Sequence, residues 1–259
     1  MITLLDGPMG TRLHALGVAT PPPRWSACAL DGAPHVVAAI HASYAASGAT
    51  VHTTNTFRTT ARAYGPGWAD AARRAVAIAR ASVPAGHRLA GSIAPLEDCY
   101  RPDLSPADPG PEHAALARVL AEGVDLLLCE TFPHVGEALA AVAAASATGL
   151  PVWVSFTAGF RGDLLTPAEV GRGAEAAVGL GAGAVLVNCV PVAQTLPFVR
   201  AIASAVRGRA AIGAYANVEP ADRPDLYAAA AAAWVDAGAT ILGACCGAGP
   251  GHVAALRRG

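Results

Sequence analysis

The chain has 259 residues, a formal net charge of -1 from 18 basic and 19 acidic side chains, and no lysine. So balanced a charge gives none of the basic field that nucleic acid or an anionic membrane requires, and the lack of lysine excludes Schiff-base chemistry of the PLP and aldolase types. The 53% apolar content is largely alanine, and glycine, proline, serine or a charge interrupts every apolar run before the roughly 18 residues of a membrane span.

Short apolar runs of strand type alternate with alanine-rich stretches of helical length, the pattern of a parallel α/β sheet or barrel. Strands are predicted over 3–5, 50–54, 88–92, 125–129, 152–156, 184–188, 211–215 and 240–244. Helices fill the intervals at 34–46, 69–82, 112–122, 135–146, 168–180, 195–206, 224–236 and 251–257, several of them ending in glycine. The proline-rich stretches 21–23 and 102–111 read as loops. The β/α rhythm resumes after each, so neither divides the chain. Eight cycles in this length match the roughly 250 residues of a TIM (β/α)8 barrel, and the expected architecture is α/β, one barrel forming a single domain over 1–259.

The opening Met1-Ile-Thr-Leu-Leu-Asp6 has no basic region and meets an acid almost at once, which argues against a secretory signal and for a reducing, cytoplasmic setting. There, six cysteines are core residues, metal ligands or catalysts rather than disulfides. Barrel chemistry sits at the C-terminal strand ends. Those ends read Asp6-Gly7 after strand one, Asn55-Thr56-Phe57-Arg58 after strand two, Glu130-Thr131 after four, Asn188-Cys189 after six and Cys245-Cys246-Gly247 after eight. If Glu130 points into the mouth, alternation turns Cys129 outward to the helices. Cys28 and Cys99 fall in loops without a partner at ligand spacing and read as structural. Adjacent Cys245 and Cys246 can share the mouth only if the strand ends there and Gly247 lets the chain turn. Three thiolates at one rim suit Zn²⁺ and leave one coordination position for substrate. The plainer alternative is three core cysteines that happen to be close.

These residues resemble the homocysteine S-methyltransferase family, which includes betaine and S-methylmethionine enzymes and the homocysteine module of cobalamin-dependent methionine synthase. The resemblance runs nearly end to end through Leu5-Asp-Gly-Pro-Met-Gly-Thr11, Trp25-Ser26, Ile40-His-Ala-Ser-Tyr-Ala-Ala-Ser-Gly-Ala49, Thr54-Asn-Thr-Phe57, Gly91-Ser92, Glu130-Thr-Phe132, Asn188-Cys189 and Gly243-Ala-Cys-Cys-Gly247. It implies a TIM barrel with zinc held by Cys189, Cys245 and Cys246, the sulfur of homocysteine taking the open position, and Asp6 and Glu130 recognising the amino-acid end. An ammonium group does need acceptors close to the metal. The implied reaction moves a methyl group from a small cationic donor to homocysteine, giving methionine. S-methylmethionine or S-adenosylmethionine is favoured over betaine, and no general acid is required because the donor departs neutral. Cobalamin or folate bound directly is not expected, since no residues remain for separate domains. Departures from the family pattern are Ala244, Ala248, Ala94 and a trimmed segment between Asn217 and Tyr227, all of which touch loops that shape donor access.

Further substrate-binding candidates are Trp25, Asn55, Phe57 and Arg58: the two rings for a cationic donor through cation–π contact, Arg58 for a substrate carboxylate. His41 and His52 read as packed or supporting residues, because three cysteines already complete the protein's share of a catalytic zinc shell. Tyr44 reads as a packing residue of its helix. Two other readings fit the same residues. One is a zinc hydrolase, although thiolates make zinc a poorer activator of water. The other is a zinc or thiol-binding relative that uses another thiol or selenol acceptor, or catalyses nothing.

Overall fold

A computed structural model describes residues 2–219 and 223–258; the trimmed segment expected between Asn217 and Tyr227 lies partly outside the described residues. Eight parallel strands are present: β1 Thr3–Leu4, β2 Val51–Thr53, β3 Arg88–Ile93, β4 Leu126–Phe132, β5 Val152–Phe156, β6 Ala182–Pro191, β7 Ala211–Asn217 and β8 Ile241–Leu242. They are ordered β1-β8-β7-β6-β5-β4-β3-β2, and a parallel bridge between Leu5 and Val51 joins the two ends. Asp6 N–H donates to the Val51 carbonyl at 3.0 Å and Thr50 N–H to that of Leu4 at 2.9 Å, so the sheet closes into an α/β TIM barrel.

The helices are α1 Met9–Ala15, α2 Ala29–Gly32, α3 Pro34–Ala46, α4 Ala61–Tyr64, α5 Trp68–Ser82, α6 Gly110–Ala121, α7 Val135–Ser146, α8 Pro167–Gly179, α9 Thr195–Val206, α10 Pro224–Asp236 and α11 Pro250–Ala255. The eight expected helices form within two residues of their expected ends. Three short ones, α1, α2 and α4, carry too little periodicity to be read in advance. The loop expected over 102–111 contains a 3-10 turn at Pro102–Leu104, and α6 begins inside it. Proline is tolerated in the first turn of a helix, where its missing N–H would have no partner anyway. In α8, Thr-Pro-Ala-Glu forms a capping box: Thr166 Oγ1 accepts from Glu169 N–H, and Glu169 Oε2 from Thr166 N–H.

Side-chain alternation sorts the core into two layers. Leu5, just past β1, with Val51, Ala90, Leu128, Leu186 and Ile241, belongs to an inner cluster to which β2 to β8 all contribute. Leu127, Cys129, Val185 and Val187 belong to the outer cluster shared with the helices. Cys129 is thus an outward, fully buried residue, as alternation requires. Among the described residues, no helix is long and apolar enough to cross a membrane.

β4 and β6 run past their expected ends. A register shift separates Cys129 from Phe132 against β5, and another separates Asn188 from Pro191 against β7. Within these shifts Thr131 takes φ 65° and Cys189 φ 52°. Left-handed backbone at a non-glycine residue costs of order 1 to 3 kcal/mol and collects where a side chain must be re-aimed. Leu128 is fully buried inside the barrel, so Leu128→Ala should lower unfolding free energy by about 2 to 5 kcal/mol in urea titration. Leu16→Ala at the exposed end of α1 should change it by less than about 0.5 kcal/mol.

Candidate active site

Cys189, Cys245 and Cys246 come together at the C-terminal rim, their sulfurs all within 4.8 Å of one another. Simple alternation along β6 would send Cys189 outward, since Leu186 faces in and Val187 out. The left-handed step at Cys189 turns its side chain back to the mouth, 2.8 Å from the Cys245 sulfur. At the other strand end, Gly247 takes φ +84°, and a Cβ there would collide with the Val218 carbonyl oxygen. That turn is tied to the end of β7: Cys245 N–H donates to the Ala216 carbonyl at 2.9 Å and Val218 N–H to that of Cys246 at 2.8 Å. Both adjacent cysteines can therefore reach the same point.

Asn188 supports the cluster from below. Its Oδ1 accepts from Ser155 Oγ at 2.8 Å, and its Nδ2 donates to Thr131 Oγ1 at 2.7 Å and to the Cys245 sulfur at 3.9 Å. Hydrogen bonds from the Cys189 and Cys245 thiols pull Cys246 down to about 4. The bonds Cys189 donates to the other two, and then burial, hold Cys189 well above the ordinary thiol range. All three can become thiolates together only with a cation among them, which a metal would supply. Zinc fits: with Zn–S bonds of about 2.3 Å, a tetrahedral site spaces its sulfurs about 3.8 Å apart.

Two buried carboxylates flank the thiols. Glu130, facing inward on β4, accepts from Ser92 Oγ and from Tyr215 Oη, the latter at 3.1 Å. Asp6 Oδ2 accepts from Thr53 N–H at 3.0 Å. Burial pushes both acids above the usual carboxylate range, and the charge on Glu130 raises Asp6 further, as that on Cys246 raises Glu130. The chain passes Asp6 by way of Gly7, where any Cβ would sit 2.6 Å from the Tyr44 ring; the Tyr44 hydroxyl in turn donates to the Pro8 carbonyl at 3.1 Å. Tyr44 thus packs, as expected, and also shapes this turn.

A cavity of about 380 Å³ opens over the cluster, lined by Asp6, Trp25, Asn55, Phe57, Tyr100, Glu130 and the three cysteines among others. Among its described lining residues there is no arginine. Trp25 and Phe57 stack with centroids 5.9 Å apart. Asn55 Nδ2 donates to the Ser26 carbonyl at 2.9 Å, pinning the Trp25 segment. Arg58 departs from the expected role. Its guanidinium is buried, donates to the Pro95 and Glu97 carbonyls at 3.2 and 2.8 Å, and lies 4.4 Å from the Trp25 ring centroid rather than in the cavity. Cys99, expected to be purely structural, reaches the cavity wall with its thiol pushed up to about 12 by burial. Cys28, expected in a loop, instead ends a 3-10 helix, Trp25–Cys28, that leads into α2, its sulfur 3.8 Å from the Pro21 carbonyl oxygen.

A family model described as homocysteine S-methyltransferase matches residues 3–259. The chain belongs to the homocysteine S-methyltransferase family. Among solved structures, the metallated form of the Escherichia coli homocysteine methyltransferase MmuM is 24% identical over 99% of this chain and 96% of that one, with a TM-score of 0.85. Its oxidized form is 23% identical over 99% and 95%, with a TM-score of 0.81. The carboxyl transferase domain of Rhizobium etli pyruvate carboxylase is 15% identical, covering 94% of this chain and 39% of that one, with a TM-score of 0.59. At these identities the likenesses are of fold. Among curated proteins none matches the chain in sequence.

For a member of this family, several residues around the site carry no role in the sequence reading. Asn188 and Ser92 appear there only within motifs, though Asn188 is a lone amide in an apolar strand next to Cys189. Ser92 and Tyr215 bond Glu130 across the barrel from other strands, and nothing local marks Tyr215. Tyr100 forms part of the cavity wall, stacked at 4.1 Å on the exposed Phe160; burial, then the charge on Cys189, pushes its phenol up.

The raised Asp6 gives a pH signature. An acid whose folded pKa lies above its unfolded value destabilises the native state above the folded pKa, and the cost disappears as pH falls below the unfolded one, about 3.9. Metal-free Asp6→Asn should therefore be more stable than the parent at pH 8, with the gain shrinking on acidification and vanishing near pH 4. Thermal melts across that range measure it.

Proposed function

We propose that this chain, acting as one barrel over 1–259, transfers a methyl group from a sulfonium donor to the thiol of homocysteine and yields methionine. S-methylmethionine or S-adenosylmethionine is the favoured donor. The observation that carries the proposal is the convergence of Cys189, Cys245 and Cys246 beside Asp6 and Glu130 in one arginine-free cavity. Its ionisable lining is acidic, thiol or phenolic, so it suits an acceptor with an ammonium group and a donor with a positive sulfur.

The three cysteines would hold the zinc, which supplies the Lewis acidity that keeps an acceptor thiol deprotonated at neutral pH. Glu130, its two oxygens already bonded by Ser92 and Tyr215, is held rigidly enough to orient an ammonium group. Asp6 offers a second acceptor. With the acceptor oriented, its sulfur lies in line with the donor's methyl carbon. The new S–C bond forms as the old one breaks, the bonding pair stays on the donor sulfur, and a neutral thioether leaves without needing a proton.

Aromatic walls receive the donor cation. Arg58 already lies over the rings of Trp25 and Phe57, whereas among the described residues no arginine lies over Tyr100. Tyr100 is therefore assigned to the donor and Trp25, backed by Arg58, to the shape of the mouth. Free cysteines at the rim suit a reducing, cytoplasmic setting.

Zinc-loaded protein given homocysteine and each donor separately should form methionine, detected by mass spectrometry, with S-methylmethionine or S-adenosylmethionine outpacing betaine. Cys246→Ser should lose both zinc and turnover; full retention of both would refute the metal assignment. Tyr100→Ala should raise the donor KM about tenfold, the ~1 to 2 kcal/mol of a desolvated cation–π contact, and leave the homocysteine KM nearly unchanged.

A further inference from the structure

A second group of ligating side chains lies outside the thiol cluster. Asp6 at the end of β1, His41 on α3 and His52 on β2 place one ligand atom each within 4.8 Å of the others, and all three residues are buried. Their hydrogen bonding is incomplete. Neither His41 nitrogen has a partner, whereas His52 bonds His87 and the Ala49 backbone. Asp6 Oδ2 accepts from Thr53 N–H, and the carboxylate stands within reach of both imidazoles. Buried polar atoms in native proteins nearly always have partners, so the two orphaned nitrogens of His41, gathered with His52 at one carboxylate, require an explanation.

We propose that Asp6, His41 and His52 form a second metal site, distinct from the three thiols, that binds a divalent first-row transition ion such as Zn²⁺ or Co²⁺. Two imidazoles and a carboxylate are a common donor set for such ions, and the absence of sulfur separates this site chemically from the softer thiol cluster. His87 completes the arrangement: His52 Nε2 lies 3.0 Å from His87 Nδ1, with the rings stacked. A proton on His52 Nε2 donated to His87 would fix the ring and free the Nδ1 lone pair, and an ion at Nδ1 would compete with the ring's bond to the Ala49 backbone. Ligating histidines are commonly held in this way by a bond from the other nitrogen. The ligand atoms, none more than 4.8 Å from another, need close only to the roughly 3.4 Å edge of a tetrahedron with bonds of about 2.0 to 2.1 Å. Because Asp6 also lines the cavity, an ion here would withdraw its charge from the acceptor pocket. The proposal does not depend on methyl transfer, and its test does not read activity.

The test strips the full chain with chelator, reloads it with Co²⁺ or Zn²⁺, desalts it and measures bound metal per chain, with the cobalt absorption spectrum recorded alongside. The parent should hold about two equivalents. His41→Gln/His52→Gln should hold about one and keep the sulfur-to-cobalt charge-transfer band. Cys189→Ser/Cys245→Ser/Cys246→Ser should hold about one, with visible cobalt bands and no charge transfer. A parent that binds one equivalent with charge transfer overturns the second site, as does a second equivalent that survives in the histidine variant. One equivalent without charge transfer would instead retain this site and refute the thiol one. Should the double variant fail to show the parent's circular dichroism, His52→Asn alone replaces it, with the same drop of one equivalent required.

Discussion

Side chains along a strand must alternate between the inside of a barrel and its helical coat, and the chemistry at this rim depends on where that rule is obeyed and where it is broken. Obedience places Leu128 and Glu130 inward on β4 and sends Cys129 out among the helices. Departure brings the three sulfurs together. Cys189 would face outward on a regular β6, and a left-handed residue within a register shift turns it back. Cys245 and Cys246 would face opposite ways on a regular β8, and the strand stops before them at a turn only glycine can make.

Burial sets the electrostatics of the cavity. Two carboxylates and three thiols occupy a region whose described lining has no arginine, and removal from water pushes both acids toward their neutral forms. A cation bound there, such as a metal among the sulfurs or the ammonium group proposed at the acids, would draw these groups back toward their charged forms. Arg58 shows the same economy from the other side, since its charge is taken up by carbonyls and aromatic faces and does not enter the cavity.

Asp6 links the separate parts. It ends β1, closes the barrel against β2 through its backbone, and holds Thr53 with its side chain while facing both the cavity and the two histidines. His41 and His52 were read as supporting residues because three cysteines sufficed for one zinc. That count was reasonable for a single site. It could not reveal that a helix and a neighbouring strand set two buried imidazoles against the same acid.

The barrel, its eight strands and the identity of the three cysteines were legible in the chain, because period, turn residues and the polar punctuation of strand ends are local properties. The ordered motifs from Leu5 to Gly247 indicated the family for the same reason. What only the tertiary structure decided are properties of contacts between distant elements. The amide of Asn188 beneath Cys245, the hydroxyls of Ser92 and Tyr215 on Glu130, the withdrawal of Arg58 onto Trp25 and the meeting of Asp6, His41 and His52 each join segments tens of residues apart. A strand's period says which face a side chain takes. Closure of the barrel determines what it meets there.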